Sequence, residues 1–221
     1  MIRNILFDND GVLVDTEHVF YEANCEMLAE YGIDLPEKEF AALSMAQGLS
    51  LADIIVKLAG VSPEEAEEAR QRRNVRYDAM LRDRDLVIDG VKETLAALHG
   101  RFRIGVVTCC QTMHFRTIHC RSGLLPFFDF VVGDDDFVHH KPHPEPYLTA
   151  LKKYDLKPEE TIAVEDSQRG VMSAQSAGLK CAAIPRGLSL YGDLSFADWQ
   201  FENITDFAGM LLNGNTHGAQ D

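Results

Sequence analysis

Five short apolar runs, each followed by a stretch of helical periodicity, constrain this sequence more than anything else in it. They are Ile5-Leu6-Phe7, Ile104-Gly105-Val106-Val107, Phe130-Val131-Val132, Ile162-Ala163-Val164 and Cys181-Ala182-Ala183-Ile184. A strand with one wet face alternates apolar and polar residues. A continuous run belongs to a strand buried on both faces, as in a parallel sheet between two layers of helices. Helical patterns occupy 90–99, 112–121, 144–154 and 168–177, and Gly100, Gly123 and Gly178 stand where helix C-caps belong. The fold class that follows is α/β.

One interval breaks the rhythm. No strand pattern occurs from 16 to 85. Residues 17–31 place Phe20, Ala23, Met27 and Tyr31 on one helical face, and 50–59 carry Leu51, Ile54, Ile55 and Leu58. Residues 63–82 open with Ser62-Pro63-Glu64-Glu65, an N-cap followed by proline at the first helical position and early acids. The interval reads as an all-helical insert of roughly 70 residues. Its hinges are expected near Asp15-Thr16 and between Asp83 and Asp89, giving a helical domain over 16–87 and a core over 1–15 and 88–221. The polar, glycine-rich tail 213–221 reads as mobile and without function.

The chemistry-bearing residues fall just after the strand runs. In an open parallel sheet, that is the end where ligands bind. Asp8-Asn9-Asp10-Gly11 puts two carboxylates at the first strand end. One can attack phosphorus, the other can give and take a proton, and Gly11 permits the sharp turn after them. Thr108 ends the second strand, where a hydroxyl and nearby N–H groups can hold a phosphoryl oxygen. Lys141, stiffened by Pro142 and Pro144, supplies the cation without which a phosphate dianion and an aspartate repel one another. Glu165-Asp166-Ser167-Gln168-Arg169-Gly170 ends the fourth run. With Asp8 and Asp10, its two acids offer the oxygen ligands that magnesium prefers. Each cluster also has an ordinary structural reading, as an acidic turn, a strand-end threonine, a surface lysine or a helix N-cap. It is the order of the four, one per strand end, that points to a single site. His139, His140 and His143 are not read as magnesium ligands, because the hard cation favours oxygen.

Composition narrows the partners. A formal charge of −14 argues against nucleic acid or an anionic membrane as the main partner. A local pocket holding a metal ion can still attract a small phosphate. There is no apolar run of about 18 residues, the length of a membrane span, and Met1-Ile2-Arg3-Asn4-Ile5 lacks the order of a signal peptide. The five cysteines, at 25, 109, 110, 120 and 181, form no CxxC pair, so a cytoplasmic location is expected.

Taken in order, Asp8-x-Asp10-Gly11, Thr108, Lys141-Pro142 and Glu165-Asp166-Ser167-x-x-Gly170 resemble the four motifs of the haloacid dehalogenase-like superfamily. The resemblance covers residues 3–210, and the helical insert looks like the C1 cap of the subfamily that includes beta-phosphoglucomutase, phosphoglycolate phosphatase and sugar-phosphate phosphatases. It implies a Rossmann-like core with the cap inserted after the first strand. It also implies that Asp8 is the nucleophile, Asp10 the general acid/base, and Thr108 and Lys141 the phosphoryl binders. Mg2+ would be held by Asp8, Asp10, Asp166 and Glu165. Gln47 and Gly48 of the cap loop, with Cys109, Cys110 and Gln111 after the second motif, would face the leaving group. Asp10 argues against dehalogenation, since a halide leaving group needs no proton. The cap loop 44–50 has no lysine for a phosphonatase Schiff base. Phe20, Gln47 and Leu51 stand where beta-phosphoglucomutase has a histidine and two cations. The expectation is therefore a phosphatase acting on a small phosphate monoester, a sugar or related metabolite phosphate, with a phosphohexomutase as the alternative and a non-enzymatic sensor as a third reading. Nucleic acid and membrane partners are not expected, and the chain is expected to be a monomer or a weak homodimer.

Overall fold

The computed structural model describes residues 1–214; residues 215–221, most of the expected mobile tail, lie outside the described residues. Its sheet runs through β1 (Asn4–Phe7), β2 (Arg103–Val107), β3 (Phe130–Val132), β4 (Thr161–Glu165), β5 (Lys180–Ala183) and β6 (Trp199–Gln200). The strands pair in parallel in the order β3-β2-β1-β4-β5-β6. The chain moves outward from β1 to β3, then returns to the far side of β1, so the order reverses between β1 and β4. That reversal is where α/β sheets leave a crevice.

Alternate residues of each strand feed opposite cores. Ile5, Phe7, Ile104, Val106, Ile162 and Val164 join one buried cluster. Leu6, Val107, Ala163, Cys181 and Ala183 join another. Two covered faces explain why these strands read as unbroken apolar runs. The covering helices are α5 (Val91–Leu98), α6 (Thr112–Ser122), α7 (Glu145–Lys153), α8 (Gln168–Ser176) and α9 (Ile204–Gly214). The sequence reading missed β6, which is two exposed residues with no apolar pattern, and α9, which the polar tail obscured.

The helical cap follows β1. It comprises α1 (Glu17–Glu30), α2 (Glu37–Phe40) running into a π-helical turn (Ala41–Ala46), α3 (Leu51–Ala59) and α4 (Pro63–Arg82). The expected capping at Ser62 is present: its hydroxyl accepts the Glu65 N–H at 3.2 Å. Ser50 and Asp53 form a full capping box for α3. Leu28, Phe40, Leu51, Ile54, Ile55, Ala66 and Ala69 make the cap's own core, and Leu188 of the sheet domain inserts into it. One expectation is met in part and another needs correction. On α1 the expected face through Phe20, Ala23, Met27 and Tyr31 packs inward, with Phe20, Met27 and Tyr31 half-buried against the cap core, and the fully buried positions also include Val19, Asn24 and Leu28. The segment read as a cap loop is helical to Ala46. At the cap's root the two connections run side by side: Asp15 N–H bonds Leu86 O at 2.7 Å and Ile88 N–H bonds Leu13 O at 3.2 Å. No single helix among the described residues is long and apolar enough to cross a membrane.

Candidate active site

Asp8 follows the last residue of β1, whose neighbours Val106 and Val164 flank Phe7. Thr108 follows β2 and Glu165 ends β4, so the strand register alone brings three of the four clusters to one sheet edge. Lys141 arrives from the turn before α7. Its Nζ lies 2.5 Å from Asp8 Oδ1, 2.7 Å from Glu165 Oε1 and 2.9 Å from the carbonyl oxygen of Val107. Burial alone would lower the Lys141 pKa, but Asp8 and Glu165 hold it above the ordinary lysine range, so the group stays charged.

Asp10 is fixed on three sides. Thr16, at the mouth of α1, donates its hydroxyl to Oδ1 at 2.5 Å, Asn9 donates to Oδ2 at 3.3 Å, and Thr108 Oγ1 lies 3.5 Å from Oδ2. Asn9 is in turn held through its Oδ1 by His119 Nε2 at 2.8 Å. Burial and the Asp8 charge raise the Asp10 pKa, which favours the protonated form a general acid needs.

Both motif glycines are explained by carboxylates. A side chain at Gly11 would place its Cβ 2.0 Å from Asp166 Oδ2, and its φ of +79° is already one that L-residues avoid. A Cβ at Gly170 would lie 1.8 Å from Glu165 Oε2. The helix N-cap after β4 is Ser167, which accepts the Gly170 N–H at 3.1 Å and leaves Asp166 to the site.

Asp8, Glu165 and Asp166 bring buried carboxylate oxygens within 4.8 Å of one another. Glu165 Oε1 takes the Tyr147 hydroxyl at 2.5 Å, while Oε2 is buried without a partner. Burial raises Glu165 to about 7, although Lys141 pulls it down. Asp166 is raised well above the usual range by burial and by Glu17, Asp8 and Glu165. Five carboxylates therefore surround one ammonium. Such an excess of hard, anionic oxygen suits Mg2+, and the orphaned Glu165 oxygen is of the right chemistry to reach it directly or through water.

The cavity above these groups measures about 390 Å³, within the range of small-molecule sites. Asp8, Asp10, Thr108, Lys141, Glu165 and Asp166 line it, as do Gly48, Cys109, Cys110 and Gln111. Gln47 does not. It caps the π-helical turn and is exposed, while Ser44, Met45 and Leu49 face the cavity in its place. Burial pushes the Cys109 thiol up to about 11 and Cys110 well above its ordinary value, so neither is a thiolate nucleophile at neutral pH. His139 and His143 stack 4.6 Å apart beside Glu145, exposed on the surface turn that carries Lys141.

Several lining residues escaped the sequence reading. Glu17 accepts the Leu188 N–H at 2.8 Å and hydrogen-bonds Asp166, and burial raises it to about 7. Arg169 donates to the carbonyl oxygen of Lys141 and packs over Gly48, joining core to cap. From α4 come Arg73, Asn74 and Tyr77. The one legible signal was on α4. Arg73 sits in the buried stripe Ala66, Ala69, Tyr77, Met80, a charge where spacing calls for an apolar residue.

Two aspartates after β1, a threonine after β2, two acids at the end of β4 and a lysine from the turn before α7 thus meet at one edge of a capped parallel sheet. The family model described as haloacid dehalogenase-like hydrolase matches residues 5–184, and the chain belongs to that family. It is 30% identical over 217 residues to pyrophosphatase PpaX of Bacillus cereus (strain Q1), covering 97% of this chain and 98% of that one. Among solved structures, CbbY from Rhodobacter sphaeroides in complex with phosphate is 25% identical, with a TM-score of 0.76 over 94% of this chain and 96% of that one. Beta-phosphoglucomutase from Clostridium difficile shares the fold along the full length of both chains, with a TM-score of 0.79 and 21% identity.

Proposed function

We propose that this phosphoric monoester hydrolase removes the phosphoryl group from a small metabolite by way of a phosphoaspartate on Asp8. The observation that carries the reading is the different setting of two neighbouring carboxyls. Asp8 is held by a charged lysine, whereas Asp10 has its pKa raised by desolvation and by Asp8 and is hydrogen-bonded by Thr16 and Asn9. A bare carboxylate beside a cation attacks; a protonated one gives its proton away.

In the first step an Asp8 oxygen bonds to phosphorus while the bond to the leaving oxygen breaks, and Asp10 protonates that oxygen. In the second, Asp10 takes a proton from water as the water attacks phosphorus, and inorganic phosphate and free Asp8 result. Lys141 and Thr108 hold the phosphoryl oxygens throughout, so positioning and charge neutralisation supply most of the acceleration. Mg2+, bound by Asp8, Asp166, the Asp10 backbone and Glu165, would neutralise the transferring group's charge. The cap, residues 16–87, closes over the core and excludes bulk water, with its hinge at the paired connections 13–15 and 86–88.

A second reading, phosphohexomutase, is favoured by one observation: α4 brings the cation Arg73 to the cap side of the cavity. The deciding experiment supplies purified protein and Mg2+ with p-nitrophenyl phosphate and with glucose 1-phosphate plus its 1,6-bisphosphate. Phosphate release supports the hydrolase; isomerisation without net phosphate release supports the mutase. Full activity of Asp8→Asn on p-nitrophenyl phosphate would reject both.

A further inference from the structure

The turn that presents Lys141 to the cavity carries nitrogen ligands on its other side. His139 and His143 flank the lysine in sequence, and their rings lie 4.6 Å apart at 32° to one another. Glu145, the first residue of α7, faces both. Its Oε2 is 2.6 Å from His139 Nδ1 and 3.9 Å from His143 Nδ1. One ligand atom from each of the three residues lies within 4.8 Å of the other two. Among the described residues, the other group that meets this condition is Asp8, Glu165 and Asp166.

Backbone contacts hold the arrangement in place. Glu145 Oε1 accepts the Val138 N–H at 3.1 Å, and Oε2 accepts the His139 N–H at 2.9 Å. Ser173 of α8 donates its hydroxyl to the carbonyl oxygen of His143 at 2.7 Å. Pro142 and Pro144 restrict the chain between the two histidines and the acid. His140, in the same turn, is turned the other way: its Nε2 is 2.7 Å from Asp134, and it lines the cavity over Asp8. The His139 and His143 side chains are 64% and 51% exposed, so an ion can reach them and water can complete its shell. His143 Nδ1 accepts the Glu145 N–H at 3.2 Å, a first-turn N–H that water can satisfy once the ring turns to a cation.

We infer that His139, His143 and Glu145 form a metal site, separate from the carboxylates around Asp8, for a late first-row divalent cation of the Zn2+ class. The two groups differ in ligand chemistry. Around Asp8 every ligand is oxygen, which suits the hard Mg2+. The turn offers two imidazoles and one carboxylate, a set that suits Zn2+, Ni2+ or Cu2+. Zinc bonds of about 2.0–2.2 Å place tetrahedral ligand atoms roughly 3.3–3.5 Å apart. His139 and Glu145 would therefore open from 2.6 Å, and His143 would close from 3.9 Å, shifts that exposed side chains can make. A bound ion would close residues 139–145 into a chelated loop with Lys141 inside it, stiffening the turn that aims the lysine. The inference does not depend on which phosphate ester the cavity takes.

Calorimetric titration of Zn2+ into the full chain, prepared without a polyhistidine tag and with Mg2+ in excess to fill the carboxylate site, tests it. One equivalent of Zn2+ is expected to bind without being displaced by Mg2+. His139→Gln and His143→Gln should each weaken that binding at least about tenfold, since even the outer-shell partners of a metal are worth that much. Both side chains are exposed, so their loss removes ligands and not core. Asp166→Asn should leave the binding unchanged. Co2+ in place of Zn2+ gives the spectroscopic check: nitrogen and oxygen ligation shows visible d–d bands without the intense near-ultraviolet band of thiolate ligation, which separates this site from the five cysteines. No Zn2+ uptake in excess Mg2+ would overturn the site. So would uptake that both histidine variants retain, uptake lost in Asp166→Asn, or a thiolate band in the Co2+ spectrum.

Discussion

The floor and the roof of the cavity are built on opposite principles. The floor, at the sheet edge, crowds Asp8, Asp10, Glu17, Glu165 and Asp166 around Lys141, and its excess negative charge leaves Glu165 Oε2 buried without a partner. The roof, on α1 and α4, is aromatic and carries a charge without a partner. A floor with an excess of anionic oxygen suits a cation and chemistry that must be the same for every substrate. An unsatisfied roof suits recognition, because the missing partner must come with the ligand. Floor and roof are nonetheless packed together: Leu188 inserts into the cap core, Thr117 donates to Asp78 of α4 at 2.6 Å, and Arg121 donates to the Arg82 carbonyl at 3.0 Å.

This contrast breaks most visibly at Asp8. Asp8→Asn is expected to lower phosphate release by at least about 10⁴-fold, the scale of losing a nucleophile. The loss should be of similar size on every substrate, because the floor does not read the leaving group. A loss confined to one substrate would place Asp8 in recognition and undo the division. Asp10→Asn should cost about 10²- to 10⁴-fold, the usual range for general acid catalysis. Here the leaving group matters chemically: alkyl phosphates should suffer more than p-nitrophenyl phosphate, whose phenolate departs without a proton. Equal losses on both would remove Asp10 as the acid.

A smaller effect sharpens the same contrast from the side of stability. Asp166 is buried among like charges, so Asp166→Asn should raise the melting temperature of the metal-free protein, by roughly 2–4 °C for each kcal/mol of relieved repulsion. The same change should abolish the rise in melting temperature that Mg2+ gives the wild-type protein. Calorimetric scans with and without Mg2+ check both halves. A variant that melts lower without metal would mean that Asp166 is held by partners rather than strained for a cation.

The floor was legible in the sequence and the roof was not, for a physical reason. Asp8, Thr108 and Glu165-Asp166 end or follow runs that can only be buried strands, so position in the sequence already implied position in space, whereas Lys141 comes nine residues after β3, on the turn before α7. Helix-borne residues carry no such mark. Arg73 and Asn74 lie on a strongly polar helix, where the break that Arg73 makes in the stripe Ala66, Ala69, Tyr77, Met80 is the one sign, and Glu17 looks like an ordinary first-turn acid. Gln47 is expected in the cavity because the resemblance turns the cap loop toward the leaving group. The π-helical turn before it rotates the chain so that Ser44 and Met45 face inward. The two-face burial of the sheet was visible in the runs themselves. The short α2, β6 and α9 were not, because each depends on tertiary packing rather than on a long periodic pattern.

The smallest predicted effect tests how the floor aims its acid. His119 is 3% exposed and clamped between Asn9 Oδ1 at 2.8 Å and Ser122 Oγ at 2.9 Å, and Asn9 in turn holds Asp10. Burial lowers the His119 pKa from 6.5 to about 4, so the folded state keeps it neutral. Between pH 6.5 and 4 the unfolded chain therefore binds more protons than the folded one, and stability falls as pH falls through that window, by about 3 kcal/mol over the whole shift. Glu17 and Glu165 act in the opposite direction. Their folded values of about 7 lie above the usual 4.5, so they add stability at low pH that is lost as pH rises through 7. The two trends overlap in the wild-type curve but separate in a difference. His119→Gln can still offer a donor to Asn9 but cannot titrate. Denaturant unfolding of both proteins from pH 4 to 8 should give a stability difference that is flat above about pH 7 and moves in favour of the variant as pH drops toward 4. A difference that stays flat across the whole range would show that His119 is not held neutral.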